Sequence, residues 1–262
     1  MAPRCHRADM GKIKVKDASE VDIMRRSGRV VARALQLVRE EAKPGVTTDE
    51  IDRKVEELIR EHDASPAFKG YRGFPRSVCT SINEQVVHGI PGDRELESGD
   101  LLSADIGAFV DGYAGDAAVT VQVGECSAEA RGLCRATKEA LQAAIDVLEP
   151  GIRVSDISQA VEEVVDSYGY SVVEKYTGHG IGKQLHEPPQ IPNFVRGGTV
   201  QHSPVIPEGA VLAIEPMVNA GTSGTRVLSD GWTVVSRDKS LSAHYEHTVA
   251  VTADGGKVLT RL

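Results

Sequence analysis

The feature that most constrains this chain is that it nearly repeats itself. KPGVTTDEIDRKVEELI (43–59) and EPGIRVSDISQAVEEVV (149–165) align at a constant offset of 106, with Pro44/Pro150, Gly45/Gly151, Ile51/Ile157, Val55/Val161, Glu56/Glu162 and Glu57/Glu163 identical. Further on, SGDLLSAD (98–105) matches EGAVLAIE (208–215) at an offset of 110, through Gly99/Gly209 and Leu102/Leu212. Amphipathic helices can match by composition alone, but the strand-like match downstream favours a duplicated unit. The 262 residues have the length for one large domain or two small ones. With no clear linker and no low-complexity segment, the reading is one domain over 13–262, made of similar halves at about 19–140 and 141–262. The repeat also puts one acid of each half, Asp105 and Glu215, at the same point of a strand.

Hydrophobic periodicity supplies the elements. Ser19 to about Ala42 has apolar residues at helical spacing and stops at Lys43-Pro44-Gly45. Thr47 or Thr48 caps a second helix through about His62. A Gly/Pro loop (66–75) leads to strand-like runs at Val78–Ile82, Leu101–Ile106 and Tyr113–Val123, the last two joined by the hairpin signal Asp111-Gly112. Ser127–Leu148 and about Ser155–Tyr168 read as helices, and Val211–Val218, Thr233–Ser236, Tyr245–Thr252 and Lys257–Thr260 as strands. The order of helices then strands occurs twice, which indicates a mixed α/β (α+β) fold.

Charge narrows the function. The formal net charge of −8 argues against a general nucleic-acid or specific DNA binder. No run approaches the roughly 18 apolar residues of a membrane span. Cys5, Cys79, Cys126 and Cys134 form no C-x-x-C pair, and with no signal-like segment the expectation is a reducing cytoplasm. Residues 1–16 carry five Lys/Arg and one Asp, a +4 arm on a −12 body. A solvated basic arm (1–12), a contact to an anionic partner such as ribosomal RNA, and a true start at Met10 all stay open.

Four carboxylates then stand out in or beside apolar strand-like runs: Asp105 in SADIG, Asp116 in GDAAV, Glu215 in AIEPM and Glu246 in YEHTV. Buried carboxylates need cations or hydrogen-bonded partners. Any one alone reads as a satisfied structural acid. All four, with His179 and His186 in GHGIGKQLHEP, read as a metal site, the glycines favouring a loop around His179. Carboxylate and imidazole ligands suit Mn²⁺, Fe²⁺, Co²⁺ or Zn²⁺, and four carboxylates match two divalent ions.

Five ordered segments resemble the type I methionine aminopeptidases: SVCTSINEQVVHGIP (77–91), ADIGAFVDGYAGDAAVT (104–120), GHGIGKQLHEPPQI (178–191), AIEPMV (213–218) and DGWTVVSRDKSLSAHYEHTVAVT (230–252). The likeness runs from about Ile13 onward. It implies the pita-bread fold, two pseudo-symmetric halves of mainly antiparallel curved sheet flanked by helices. It implies Asp105, Asp116, His179, Glu215 and Glu246 as ligands of two metal ions, with Asp116 and Glu246 bridging. It implies His88 and His186 as substrate-contacting histidines, the second stabilising the developing oxyanion, attack by a metal-bound hydroxide, and Glu215 as the shuttle that relays the proton of the attacking water toward the leaving amine. Cys79, Tyr71, Phe74, Phe68, Leu185 and Trp232 match the methionine pocket, although without the family the aromatic residues read as ordinary packing. Asn83, Gln85 through its backbone, and Ser242 match a monovalent-cation position of some members. His6, His62, His202, His244 and His247 read as surface or structural.

The implied activity is cytoplasmic removal of the initiator methionine from nascent chains with a small second residue, by a monomer in transient contact with the ribosome. Two alternatives stand beside it. X-Pro aminopeptidases and prolidases share the fold but usually carry a long N-terminal domain. Non-catalytic binding relatives lose ligands that are all present here.

Overall fold

The computed structural model describes residues 12–195 and 203–262. Expectations placed on 1–11, including most of the basic arm, Cys5, His6 and Met10, and on His202 lie outside the described residues.

The chain opens with α1 (Ala18–Glu41) and α2 (Thr48–Glu61). Both start on a reciprocal cap: Asp17 with Glu20, and Thr47 with Glu50, each pair satisfying backbone donors the first turn cannot. Strands β1 (Ser65–Pro66), β2 (Val78–Ile82), β3 (Gln85–Val87), β4 (Leu101–Val110) and β5 (Tyr113–Gln122) come next. Then come α3 (Ala128–Asp146), α4 (Val154–Ser167), β6 (Ser171–Val172), β7 (Gly178–Gly180), β8 (Glu187–Ile191) and β9 (Val211–Ile214). The chain closes with β10 (Met217–Asn219), β11 (Thr225–Val227), β12 (Val234–Ser236), β13 (Ser242–His244), β14 (His247–Thr252) and β15 (Gly255–Val258). Among the described residues no helix is long and apolar enough to cross a membrane.

All pairings between these strands are antiparallel. The first half has a sheet in the order β1-β4-β2 with β5 on β4; the second has β15-β14-β9-β7-β8. One apolar core lies between α1, α2 and the β2/β4/β5 sheet, and another between α3, α4 and β9/β14. A third joins Met24, Phe68, Phe74, Cys79 and Ala114 of the first half to Ile181, Leu185, Val211, Ala213 and Ala250 of the second. The mixed α/β class and the two-half architecture are as expected.

The repeat survives as a repeat of backbone hydrogen bonds. Gly45 N donates to Leu96 O (2.8 Å), and Leu96 N to Val46 O (2.9 Å); Gly151 N donates to Ile206 O and Ile206 N to Ile152 O, both 2.8 Å. Gly99 N to Val123 O is answered by Gly209 N to Val251 O, both 2.8 Å. Composition cannot produce matching long-range partners, so the halves are one unit used twice. A boundary between 140 and 141 cuts through α3, whose buried face (Leu133, Ala140, Leu141, Ala144) lies in the second-half core. Packing moves the boundary to the 123–127 connection. The expected strand Val211–Val218 is also divided: Pro216 has no N–H for a ladder, so β9 ends at Ile214 and β10 starts at Met217 in another sheet.

Candidate metal centre and substrate pocket

The two-residue turn at Asp111-Gly112, both at positive φ, sets the β4/β5 register. That register pairs Asp105 with Ala118 and Gly107 with Asp116, so the two aspartates are diagonal neighbours on one face. A Cβ on Gly107 would lie 2.9 Å from Phe68 Cε1 and 3.4 Å from Asp116 Oδ1; glycine there leaves room for both. Cys79 lies opposite Asp105 on β2.

In the second half, His247 pairs with Ile214 and Thr248 with Ala213, which leaves Glu246 and Glu215 side by side just past the ends of β14 and β9. His179 pairs with Ala213, two residues before Glu215 and therefore on its face. The GHG segment is a strand, not the expected loop. Its glycines allow strand crowding: a Cβ on Gly178 would meet Ala213 O at 2.5 Å, and one on Gly180 would meet Pro188 O at 2.2 Å.

Two threonines join the halves. Thr248 Oγ1 accepts from Asp116 N (3.0 Å) and donates to Asp116 O (2.7 Å). Thr120 Oγ1 does the same with His244 N (2.8 Å) and His244 O (2.9 Å). Glu246 N donates to Ala118 O (3.0 Å). This reciprocal staple brings the acids of both sheets together. Ligand atoms of Asp116, His179 and Glu246 lie within 4.8 Å of one another. Asp105 is the diagonal neighbour of Asp116 on the β4/β5 face, and His179 Nε2 is 3.5 Å from Glu215 Oε1.

Burial, then mutual repulsion, pushes the Asp116, Glu215 and Glu246 carboxyls well above the ordinary range, and burial raises Asp105. Asp105 Oδ1, Asp116 Oδ1 and Glu246 Oε1 are buried with no hydrogen-bond partner in the protein. Orphaned buried carboxylate oxygens converging from two sheets are what a divalent cation would satisfy. His179 fits as well: burial holds it neutral, its pKa lowered to about 4, and Nδ1 donates to Gly180 O (2.9 Å). Nε2 then faces Glu215 with its lone pair free.

The remaining expected residues gather around this cluster. The His186 ring lies 4.2 Å from that of His179, and its Nδ1 is 2.9 Å from the Tyr71 hydroxyl. His88, at φ 59°, follows β3 and meets Trp232 (6.3 Å) and Tyr176 (5.8 Å) edge to face, and burial lowers its pKa to about 4. Phe68, Phe74, Cys79 and Leu185 are buried together, with Tyr71 and Trp232 packed against them. Phe74 meets Trp232 edge to face at 5.2 Å. Asn83 and Ser242 also meet, Ser242 N donating to Asn83 O (2.8 Å), while Asn83 Oδ1 accepts from Leu101 N (2.9 Å).

Three residues escaped the sequence reading. His244, read as surface or structural, is buried with Nε2 3.8 Å from Glu215 Oε2 and no hydrogen-bond partner. A signal for it existed: GDAAVTVQV (115–123) and AHYEHTVAV (243–251) share Thr120/Thr248, Val121/Val249 and Val123/Val251, which makes His244 the counterpart of Asp116. Lys16 and Glu187 form a buried ion pair (3.0 Å) beside His186, with Lys14 adding a second contact at 3.2 Å. No spacing rule links residues so far apart.

The model of metallopeptidase family M24 matches residues 22–253. A methionine aminopeptidase of Clostridium acetobutylicum is 48% identical over 95% of this chain and 98% of its own length. The crystal structure of a methionine aminopeptidase from Thermotoga maritima superposes with a TM-score of 0.93 at 43% identity, covering 96% of this chain and all of that one. A prolidase from Pyrococcus furiosus shares the architecture less closely, with a TM-score of 0.75 at 26% identity over 65% of its length.

Proposed function

From the premise that the chain belongs to the methionine aminopeptidases of metallopeptidase family M24, we propose that it removes the initiator methionine from nascent polypeptides whose second residue is small. The observation that carries this is the convergence of Asp105, Asp116, His179, Glu215 and Glu246 beside an apolar pocket. Those five would hold two divalent ions. When bound, the metals supply a Lewis acid for the scissile carbonyl and a water acidic enough to be deprotonated at neutral pH.

The chain's own residues do the rest. The pocket of Phe68, Tyr71, Phe74, Cys79, Leu185 and Trp232 takes an unbranched thioether, excludes water and positions the first peptide bond. Glu215 accepts the proton of the attacking water and passes it to the leaving amine. His186 donates a hydrogen bond to the carbonyl oxygen as it gains charge, and His88 holds the scissile amide. The carboxylates next to the bound amine end favour a free amino terminus, which makes the enzyme an exopeptidase. A monovalent cation at Asn83 and Ser242, a monomeric state, a cytoplasmic site of action and a ribosome contact through the basic arm belong to the same reading.

The test is cleavage of Met-Ala-Ser and Leu-Ala-Ser by the metal-loaded protein. Rapid cleavage of the first and slow cleavage of the second are expected; equal rates would sink the specificity. His88→Ala should lose turnover yet bind the same amount of metal.

A further inference from the structure

Tyr71 is held more firmly than a pocket wall requires. It opens a 3-10 turn (Tyr71–Gly73) flanked by Gly70 at φ 85° and closed by Gly73 at φ 92°. Arg72 inside the turn is at φ 50°, which non-glycine residues rarely adopt. Hydrogen bonds from Gly70 N to Phe74 O (2.8 Å), Tyr71 N to Phe68 O (2.9 Å) and Phe74 N to Tyr71 O (2.9 Å) tie the segment into a knot. The Arg72 guanidinium lies 5.3 Å from the Tyr71 ring centre. The result is a phenol stacked on His186 (centroids 5.4 Å apart, planes at 17°) with its hydroxyl 2.9 Å from Nδ1.

A neutral imidazole carries a single N–H, and His186 Nδ1 faces the Tyr71 hydroxyl at 2.9 Å. That proton has two places. If it is on Nδ1, it donates to the phenol oxygen; the phenol proton then has no acceptor among the described residues, and Nε2 presents only a lone pair. If it is on Nε2, the phenol O–H donates to Nδ1 and both groups are satisfied. We propose that Tyr71 is a positioning residue: its hydroxyl donates to His186 Nδ1 and fixes the Nε2–H tautomer, so that His186 offers an N–H to the substrate's carbonyl oxygen. The proposal rests on the role given to His186 above; its structural half does not.

Tyr71→Phe keeps the ring, the stacking and the pocket wall and removes one oxygen. The full chain, reconstituted with Zn²⁺ and labelled with ring-¹⁵N histidine, reports the tautomer through its nitrogen shifts, with His186→Gln assigning the signal. The expected result is Nε2–H in the parent and a shift toward Nδ1–H or a mixture in Tyr71→Phe. In parallel, kcat on Met-Ala-Ser should fall about tenfold with KM changed less than about twofold. An unchanged tautomer in Tyr71→Phe, or a loss carried by KM alone, would overturn the proposal. If the parent fails to cleave Met-Ala-Ser, the proposed function fails, and the tautomer measurement alone decides the role of Tyr71.

Discussion

The two halves share helices, turns and backbone partners, yet they build their walls of the site differently. In the first, β4 and β5 form an unbroken hairpin of two ten-residue strands, and both acids project from inside the ladder. In the second, the strands fray where the chemistry is: β9 stops at Ile214 before Glu215-Pro216, β14 starts at His247 after Glu246, and His179 stands on three residues. A residue inside a ladder has its backbone fixed on both sides, so a short aspartate suffices. Past a strand end, glutamate has one more methylene of reach. The duplication also did not keep its partners. Asp105 and Glu215 are equivalent, but the equivalent of Asp116 is His244, while Glu246 stands where the first half has Ala118. Two copies of one frame thus supply a rigid aspartate wall and an adaptable wall that also carries histidines.

The largest effect should come from removing one acid of the cluster from each wall. Asp116→Asn and Glu246→Gln should each lower kcat/KM on a methionyl tripeptide by about 10³-fold. Each should also reduce metal retained after dialysis, measured by elemental analysis. If either variant keeps both metal and turnover, the walls do not share a centre. Glu187→Gln severs the tie between the segment before α1 and the strand after His186. It should destabilise the protein by about 3 kcal/mol in urea unfolding at neutral pH, because Lys16 is left buried without a counter-charge. An undiminished midpoint would show that the pair holds nothing.

The seam offers a symmetric pair of tests. Thr120→Val and Thr248→Val keep shape and remove the hydroxyls that satisfy His244 and Asp116 backbone groups. Each should cost about 2 kcal/mol. Only Thr248→Val should also weaken metal retention, since it alone holds an acid of the centre. Equal effects on metal would erase the distinction between the walls.

The smallest effect concerns pH. Lys69 first, then Arg60 and Ser77, hold the Glu56 carboxyl down to about 2. A carboxylate depressed on folding contributes stability above its unfolded value near 4.5 and loses it as the pH falls toward 2. Its partners are half-exposed, so the contribution is on the order of 1 kcal/mol. Glu56→Gln should lower stability at neutral pH by about that amount, flatten the acid limb between about pH 4.5 and 2, and converge on the parent below it. A limb as steep as the parent's would remove Glu56 from the account. Its repeat mate Glu162 instead accepts from Val195 N (3.0 Å), so the duplicated glutamate anchors α2 and α4 to downstream chain by different bonds.

Much of this was legible in residue order. The cap at Thr47, the hairpin at Asp111-Gly112 and the strand-like runs around Asp105 and Asp116 are local signals, readable because turn chemistry and side-chain period act within a few residues. The half boundary was misplaced because α3 has an amphipathic face that would suit either core, and only packing chooses. His179 looked like a loop residue because glycines usually mark one; that they relieve crowding between strands depends on Ala213 and Pro188, far along the chain. His244 was missed because its meaning comes from Glu215, on another strand.

Residue order alone pointed to one unit used twice, to four acids in or beside strand-like runs, and to where the hairpin turns. It could do so because these are effects of backbone period and local hydrogen bonding. The tertiary structure decided that Asp116 and Thr248, 132 residues apart, share hydrogen bonds, and with that which carboxylates face one another. The physical reason is that side-chain facing is set within a strand, whereas its partner across the seam is set by how two finished sheets dock.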